Sequence, residues 1–327
     1  MKRPNHLEKS VAKGTIDSMR LGFSWLWACC LALLAVFLGG CGSNSGSKQA
    51  DGKLVVVATT GMIADAVKQV GGDRVEVIAL MGPGIDPHLY KASPGDITKI
   101  NSADLIFFNG LHLEGKMADV FEKVGRKKPT IAVGEAVPEA ERLSWTGGVH
   151  DPHIWFDVKL WRNVLTPIQE ALSKAEPSHA AEFAANASRY GKELDQLDAE
   201  IRVTMDTIPE SKRILVTAHD AFHYFGRAYG IRVHAIQGIS TESEAGLSAI
   251  NGLVQLLVNS KIPAVFVETS VSEKNIQALV EGVRARGGTV AIGGKLFSDA
   301  MGAAGTPEGT YVGMVRHNAK AIVDALK

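Results

Sequence analysis

The stretch from Pro177-Ser178 to Ile208 holds the longest helical pattern in the chain, and it divides everything on either side of it. Phe183, Ala187, Tyr190, Leu194, Leu197, Ile201, Met205 and Ile208 recur every three or four residues, so one continuous stripe must face protein. Pro177 or Ser178 can start such a helix, and Pro209 stops it. About 31 residues at 1.5 Å rise make a rod of roughly 46 Å. A rod of that length between two halves restricts hinge closure, unlike a pair of extended crossovers.

Both flanks of the rod read as α/β. Before it, Lys53–Thr59, Arg74–Leu80, Asp104–Asn109 and Pro129–Val133 are short Val/Ile/Phe-rich runs of strand type, with helical patterns that include Met62–Val70 and Glu114–Val124. After it, strand-type runs at Arg213–Thr217, Ile231–Ala235, Ala264–Glu268 and Thr289–Ile292 alternate with helical patterns near Ala221–Tyr229, Glu242–Ser260, Glu273–Arg286 and Pro307–Leu326. Buried runs alternating with helices indicate parallel sheets covered on both faces. The expected fold is therefore α/β: two lobes with parallel sheets covered by helices, joined by one long rigid helix. The expected divisions are an N-terminal lobe at 53–176, the linking helix at 177–208 and a C-terminal lobe at 209–327. The 327 residues leave room for two domains with a core each.

The chain ahead of the first lobe has a different character. Leu21 to Leu38 is an apolar run broken only by Gly22 and Ser24, preceded by positive charge and ending Leu38-Gly39-Gly40-Cys41. It resembles a bacterial lipoprotein signal peptide, in which a box of Leu, two small residues and Cys directs lipidation of the cysteine and cleavage before it. Residues 1–40 are then the signal peptide and Cys41 the lipidated residue, with Met19-Arg20 as an alternative start. The bland reading is an uncleaved membrane anchor. Residues 41–52, rich in Gly and Ser, form a flexible tether with a reach on the order of 20 Å. All three cysteines fall in the first 41 residues, so the body can hold neither a disulfide nor a cysteine-ligated zinc. From Cys41 onward the 30 basic and 33 acidic side chains leave a net of −3, and nothing there suggests a nucleic-acid partner, which would need a concentrated basic face.

The residues with chemistry come in pairs. Asp86-Pro87-His88 is repeated at Asp151-Pro152-His153, and both follow glycines (Gly82-Pro83-Gly84; Gly147-Gly148). Proline fixes φ and keeps the preceding residue extended, so each triplet presents its histidine from a stiff loop. One such histidine is most simply a hydrogen-bonded loop residue. Two matched ones suggest a shared metal, because neutral imidazole is the commonest protein metal ligand. The second half adds His219, just after the run Ile214–Thr217, and Asp299, after Thr289–Ile292. Sites in parallel sheets form beyond the carboxyl ends of strands, so the four candidates should meet in the interlobe cleft.

With these motifs in view, the chain from Val55 to Lys327 resembles the metal-binding class of substrate-binding lipoproteins that deliver manganese or zinc to ATP-driven importers. The motifs that carry the likeness are Asp86–His88, Asp151–Asp157, Leu215–Phe222, Phe266–Ser270 and Leu296–Gly302. The resemblance implies one Mn2+ or Zn2+ held in the cleft by His88, His153, His219 and Asp299. It also implies an ABC permease and a separate ATPase subunit as partners, and a monomer lipid-anchored at the cell membrane and facing away from the cytoplasm. Many manganese-type members have glutamate where His219 stands, which leaves the ion open. Many zinc-type members carry a histidine-rich loop, and between Gly110 and His150 this chain offers only His112 and His150. The expectation is that the body binds both ions while transport serves manganese, with a zinc-specific protein of the same class as the alternative.

Other readings weigh less. Four protein ligands make a closed set, whereas catalytic zinc keeps an open position, and no His-Glu-x-x-His run is present, so no catalytic residue is assigned and a surface metallohydrolase is disfavoured. A surface adhesin with structural metal is a third class, separable by whether the metal-free protein stays folded. Gly110-x-x-x-x-Gly115-Lys116 nearly spells a phosphate-binding loop, but Met117 lacks the hydroxyl that magnesium needs. His223, one turn beyond His219, reads as solvated or capping, and His150 as an outer residue. His112, His179, His234 and His317 have no ligand-like neighbours. Asp220 and Glu268 both suit acceptance of a ligating imidazole's second N–H, and the sequence does not choose between them.

Overall fold

The computed structural model describes residues 52–243 and 246–327, so the signal peptide, Cys41 and the tether up to Asp51 lie outside the described residues. Among the described residues no helix is long and apolar enough to cross a membrane.

All eight strand-type runs form strands, and every ladder is parallel. In the first lobe β1 (Leu54–Ala58), β2 (Val75–Ala79), β3 (Leu105–Phe108) and β4 (Thr130–Ala132) make one sheet in the order β2-β1-β3-β4. In the second, β5 (Ile214–His219) pairs with β6 (Arg232–Gln237) and β7 (Ala264–Glu268) with β8 (Ala291–Leu296). β5 lies beside β7 with no ladder between them, so these two-stranded sheets are arranged in space as β6-β5-β7-β8, the order of the first lobe. The fully buried β1, β5 and β7 carry the continuous apolar runs that a sheet covered on both faces requires.

Helices α1 (Gly61–Gly71), α2 (Pro94–Ser102), α3 (Ala118–Gly125), α4 (Val158–Trp161) and α5 (Leu165–Ala175) belong to the first half. α2, not marked by periodicity, is set by its start: Ser93 and Asp96 form a reciprocal capping box with Pro94 in the first turn. After the long helix α6 (Ala180–Met205) come α7 (His223–Tyr229), α8 (Leu247–Ser260), α9 (Lys274–Ala285) and α10 (Tyr311–Leu326). α8 is shorter than the expected Glu242–Ser260: Glu242 and Ser243 precede it as turn, and residues 244–245 lie outside the described residues. β8 runs past its expected end because Gly293 and Gly294 hide a strand from the apolar pattern. A Cβ on Gly293 would lie 2.5 Å from that of Ala325, so glycine is what lets α10 pack on β8.

α6 has 26 residues, with a 3-10 turn (Pro177–His179) before it, which makes it about 39 Å long. Its buried stripe is the expected one, with Phe183, Tyr190, Leu194, Leu197, Ile201 and Met205 covered. The expectation of one core per lobe is not met. A single apolar cluster runs from Leu54 and Met62 through α6 to Phe266 and Leu326, and a smaller one covers the outer face of the first sheet around Val55, Ile106 and Phe121. The reason is the stripe itself: α6, Trp161 and Tyr311 pack against both halves, and the Trp161 and Tyr311 rings stack 5.5 Å apart.

Candidate metal centre

The two Asp-Pro-His loops and the ends of β5 and β8 converge on one point between the lobes. His219 is the last residue of β5 rather than a residue beyond it, and Asp299 lies three residues past β8. Ligand atoms of His88, His153, His219 and Asp299 all fall within 4.8 Å of one another. The group is sealed: His88 is 4% exposed, Asp299 2%, and His153 and His219 0%.

All three imidazoles turn Nε2 inward. Those of His88 and His153 face each other at 3.3 Å. Asp299 Oδ1 is 3.5 Å from His153 Nε2, and Oδ2 is 3.2 Å from His219 Nε2 and 3.8 Å from His88 Nε2. Asp299 Oδ1 has no hydrogen-bond partner among the described residues, and Asp299 Oδ2 and His219 Nε2 have none outside the group. Buried polar atoms without partners are costly, and these point at a common centre where a cation would satisfy them together.

Carboxylates hold two of the rings from behind. His153 Nδ1–H donates to Asp151 Oδ1 at 2.7 Å. His219 Nδ1–H donates to Glu268 Oε2, whose other oxygen accepts the N–H groups of Ala218 and His219 at 2.8 Å each. Such acceptors fix the tautomer that leaves Nε2 free to ligate. Between the two candidates for His219 the structure chooses Glu268. Asp151 was missed in that role, although its place at the head of the triplet was the available signal.

The charges follow. Burial acts against ionisation of Asp299, but the three imidazoles outweigh it and hold the carboxyl well below its ordinary range. Burial likewise opposes a proton on His219, yet Asp299 and Glu268 together raise it well above the usual imidazole value. His88 goes the other way, pushed down to about 3 by burial and by the neighbouring imidazoles against the pull of Asp299. The metal-free centre thus pairs a protonated His219 with an ionised Asp299.

The remaining candidates stay outside the group. His223 Nδ1 lies 3.7 Å from Asp151 Oδ2 and its Nε2 3.3 Å from Asp220 Oδ1, with the ring partly exposed. His150 is half-buried and takes no part. His179 and His317, expected to lack ligand-like neighbours, do have glutamates within 4 Å: Glu176 and Glu182 for the first, Glu308 for the second. The loop resembling a phosphate cradle is filled from within. The Glu114 carboxylate accepts the N–H groups of Asn109 and Gly110 and the Thr59 hydroxyl, so the amides that would meet a phosphate are taken. Lys116 turns outward to Glu242 at 3.0 Å.

With this geometry in place, comparison with known proteins gives a consistent picture. Residues 56–325 match the family described as zinc-uptake complex component A, periplasmic. The chain is similar to the manganese-binding lipoprotein MntA of Bacillus subtilis (strain 168), 52% identical over 297 residues that cover 90% of this chain and 97% of that one. It is nearly as similar to the zinc-binding protein TroA of Treponema pallidum (strain Nichols), 50% identical over 301 residues, 91% of this chain and 97% of that one. The solved structure of the periplasmic zinc-binding TroA superposes with a TM-score of 0.83, covering 84% of this chain and 99% of its own.

Proposed function

Because the chain belongs to the periplasmic zinc-uptake component A family, we propose that it is an extracytoplasmic solute-binding lipoprotein that captures one divalent metal ion and delivers it to an ABC importer. The observation that supports this most is the sealed centre in which three imidazole Nε2 atoms and both Asp299 oxygens converge. His88, His153, His219 and Asp299 are the ligands in this reading, Asp151 and Glu268 the groups that orient two of them. Three neutral imidazoles and one carboxylate suit a first-row divalent ion and leave it net positive. The family is one of transport components, and the ion is cargo rather than a catalyst.

Manganese is the ion carried in the cell. Similarity to a manganese-binding lipoprotein across nearly the whole chain supports it, as does the Asp299 carboxylate with both oxygens free to ligate. Bidentate carboxylate binding favours higher coordination numbers than compact tetrahedral zinc takes. Zinc is the second reading, favoured by His219 in place of a carboxylate and by the comparable likeness to a zinc-binding protein. Purified body should bind both, zinc at least as tightly, by the general order of divalent affinities.

Cys41 carries the lipid anchor at the outer side of the cell membrane, and a permease with a separate ATPase receives the ion from the monomeric body. Deleting the gene should lower cellular manganese and leave zinc near normal. Depletion of zinc alone would reverse the choice of ion. Cys41→Ser should release the body from membranes or leave its precursor uncleaved, and unchanged maturation and partitioning would dismiss the anchor.

A further inference from the structure

We infer that Trp155 is a positioning residue that fixes the separation of His153 from Asp299 and thereby sets the balance between manganese and zinc. The inference rests on the metal reading of the centre given above. Trp155 lies two residues after His153 and is buried, its ring edge-on to that imidazole with centroids 5.2 Å apart. Its indole N–H crosses to the second lobe and donates to the main-chain carbonyl of Ser298, the residue before Asp299, at 3.0 Å. Its own carbonyl accepts from the Tyr311 hydroxyl at 2.7 Å.

Both ends of this clamp are themselves held. The Tyr311 N–H donates to Asp65 Oδ2 at 3.1 Å, and the Tyr190 hydroxyl of α6 reaches the same oxygen at 3.2 Å. Ser298 is bound through its side chain to Ser270 at 2.8 Å. The indole N–H is buried with the Ser298 carbonyl as its acceptor, and leaving such a donor unpaired costs its full desolvation. The loop bearing His153 and the loop bearing Asp299 are therefore kept in one register.

That register matters more to manganese than to zinc. Manganese is the weaker binder to any nitrogen and oxygen set, so a site gains it through geometry rather than raw affinity. Both Asp299 oxygens must stay turned inward for a high coordination number, whereas zinc is content with three nitrogens and one oxygen. A loop relaxed by a few tenths of an ångström keeps zinc and loses manganese.

Trp155→Phe preserves an aromatic ring and removes the donor. Mn2+ affinity should fall by about tenfold or more while Zn2+ affinity changes by less than about threefold, in the range typical for groups that orient metal ligands. The visible spectrum of the Co2+-loaded protein should change with it, since band intensity reports coordination geometry. Tyr311→Phe, which frees the Trp155 carbonyl, should move both readouts the same way by less, and decides alone if Trp155→Phe does not fold. An unchanged ratio of manganese to zinc affinity, or an unchanged Co2+ spectrum, overturns the inference whatever happens to the melting temperature. Wild-type protein that binds neither ion would instead remove the metal reading, and this inference with it.

Discussion

The two Asp-Pro-His loops begin alike. In each, the aspartate Oδ1 accepts the main-chain N–H of the histidine two residues on, at 2.9 Å for Asp86 and 3.0 Å for Asp151. From there they part. Asp151 also takes its own histidine's Nδ1–H, whereas the second oxygen of Asp86 takes the Thr241 hydroxyl from the opposite lobe. The second lobe grips the His153 loop further, through Tyr224 on the Asp151 carbonyl and Tyr311 on that of Trp155. Beside His88, Ile85 and Leu89 stand 40% and 46% exposed, so this loop forms the rim of the centre. Their acidities differ accordingly. Burial raises Asp86, while at Asp151 burial is outweighed by His153 and His223 and the carboxyl falls to about 2. One tripeptide thus holds its histidine firmly in one place and lightly in the other.

Loss of a ligand should give the largest effect and test whether both mounts hold the ion at all. His88→Ala, His153→Ala, His219→Ala and Asp299→Ala should each weaken binding by at least about tenfold in a competition titration. A His88→Ala protein with wild-type affinity would reduce the centre to three ligands.

The two aspartates should then separate. Asp151→Asn should cost about 10- to 100-fold in affinity because, of the two aspartates, only Asp151 contacts the ring of its histidine, and Asp86→Asn no more than a few-fold. Equal losses would show that the shared turn, not the ring contact, is what the aspartate supplies.

Acid should sharpen the difference further. His219 is raised and therefore protonated in the metal-free protein at neutral pH, so the ion must displace that proton. Affinity should climb with pH by about tenfold per unit until the metal-free pKa is passed. Calorimetry in buffers of different ionisation heat should count roughly one proton released, none of it from His88, which is already neutral above its pKa of about 3. For folding, the lowered Asp151 contributes stability above its ordinary value of 3.8 that is lost as pH falls toward about 2. No release of protons on binding would refute the charge assignment.

The smallest effects belong to the periphery. His223→Ala should change affinity by less than about threefold, since its nitrogens reach only Asp151 and Asp220, at 3.7 and 3.3 Å. Thr241→Ala should lower metal-free stability by about 1 kcal/mol, the usual net worth of one hydrogen bond, in a denaturant melt. A loss several times larger would mean that the His88 loop is not the lighter mount after all.

Much of this was open to reading in the sequence. Short apolar runs located all eight strands, and the four converging residues were picked out because repeated triplets and strand ends are local features. What joins distant parts was not legible. Periodicity shows that the α6 stripe is buried but not that it is shared, so from sequence one continuous core looks like two. Trp155, Tyr224 and Tyr311 look like ordinary core aromatics, and only the fold reveals that an indole N–H and two hydroxyls reach across the lobes. Glu114 likewise looked like a helix residue until its carboxylate was found among the loop amides.

The continuous core has a kinetic consequence. Prying the lobes apart enough to uncover about 200 Å2 of apolar surface costs roughly 5 kcal/mol at 25 cal/mol per Å2, a state populated less than about once in a thousand. A route past the exposed rim at Ile85 and Leu89 uncovers far less of that surface than parting the lobes does. On the proposed reading of the centre, the dwell time of the ion then rests with the few residues around His88, where an off-rate can change while the body stays as stiff as before.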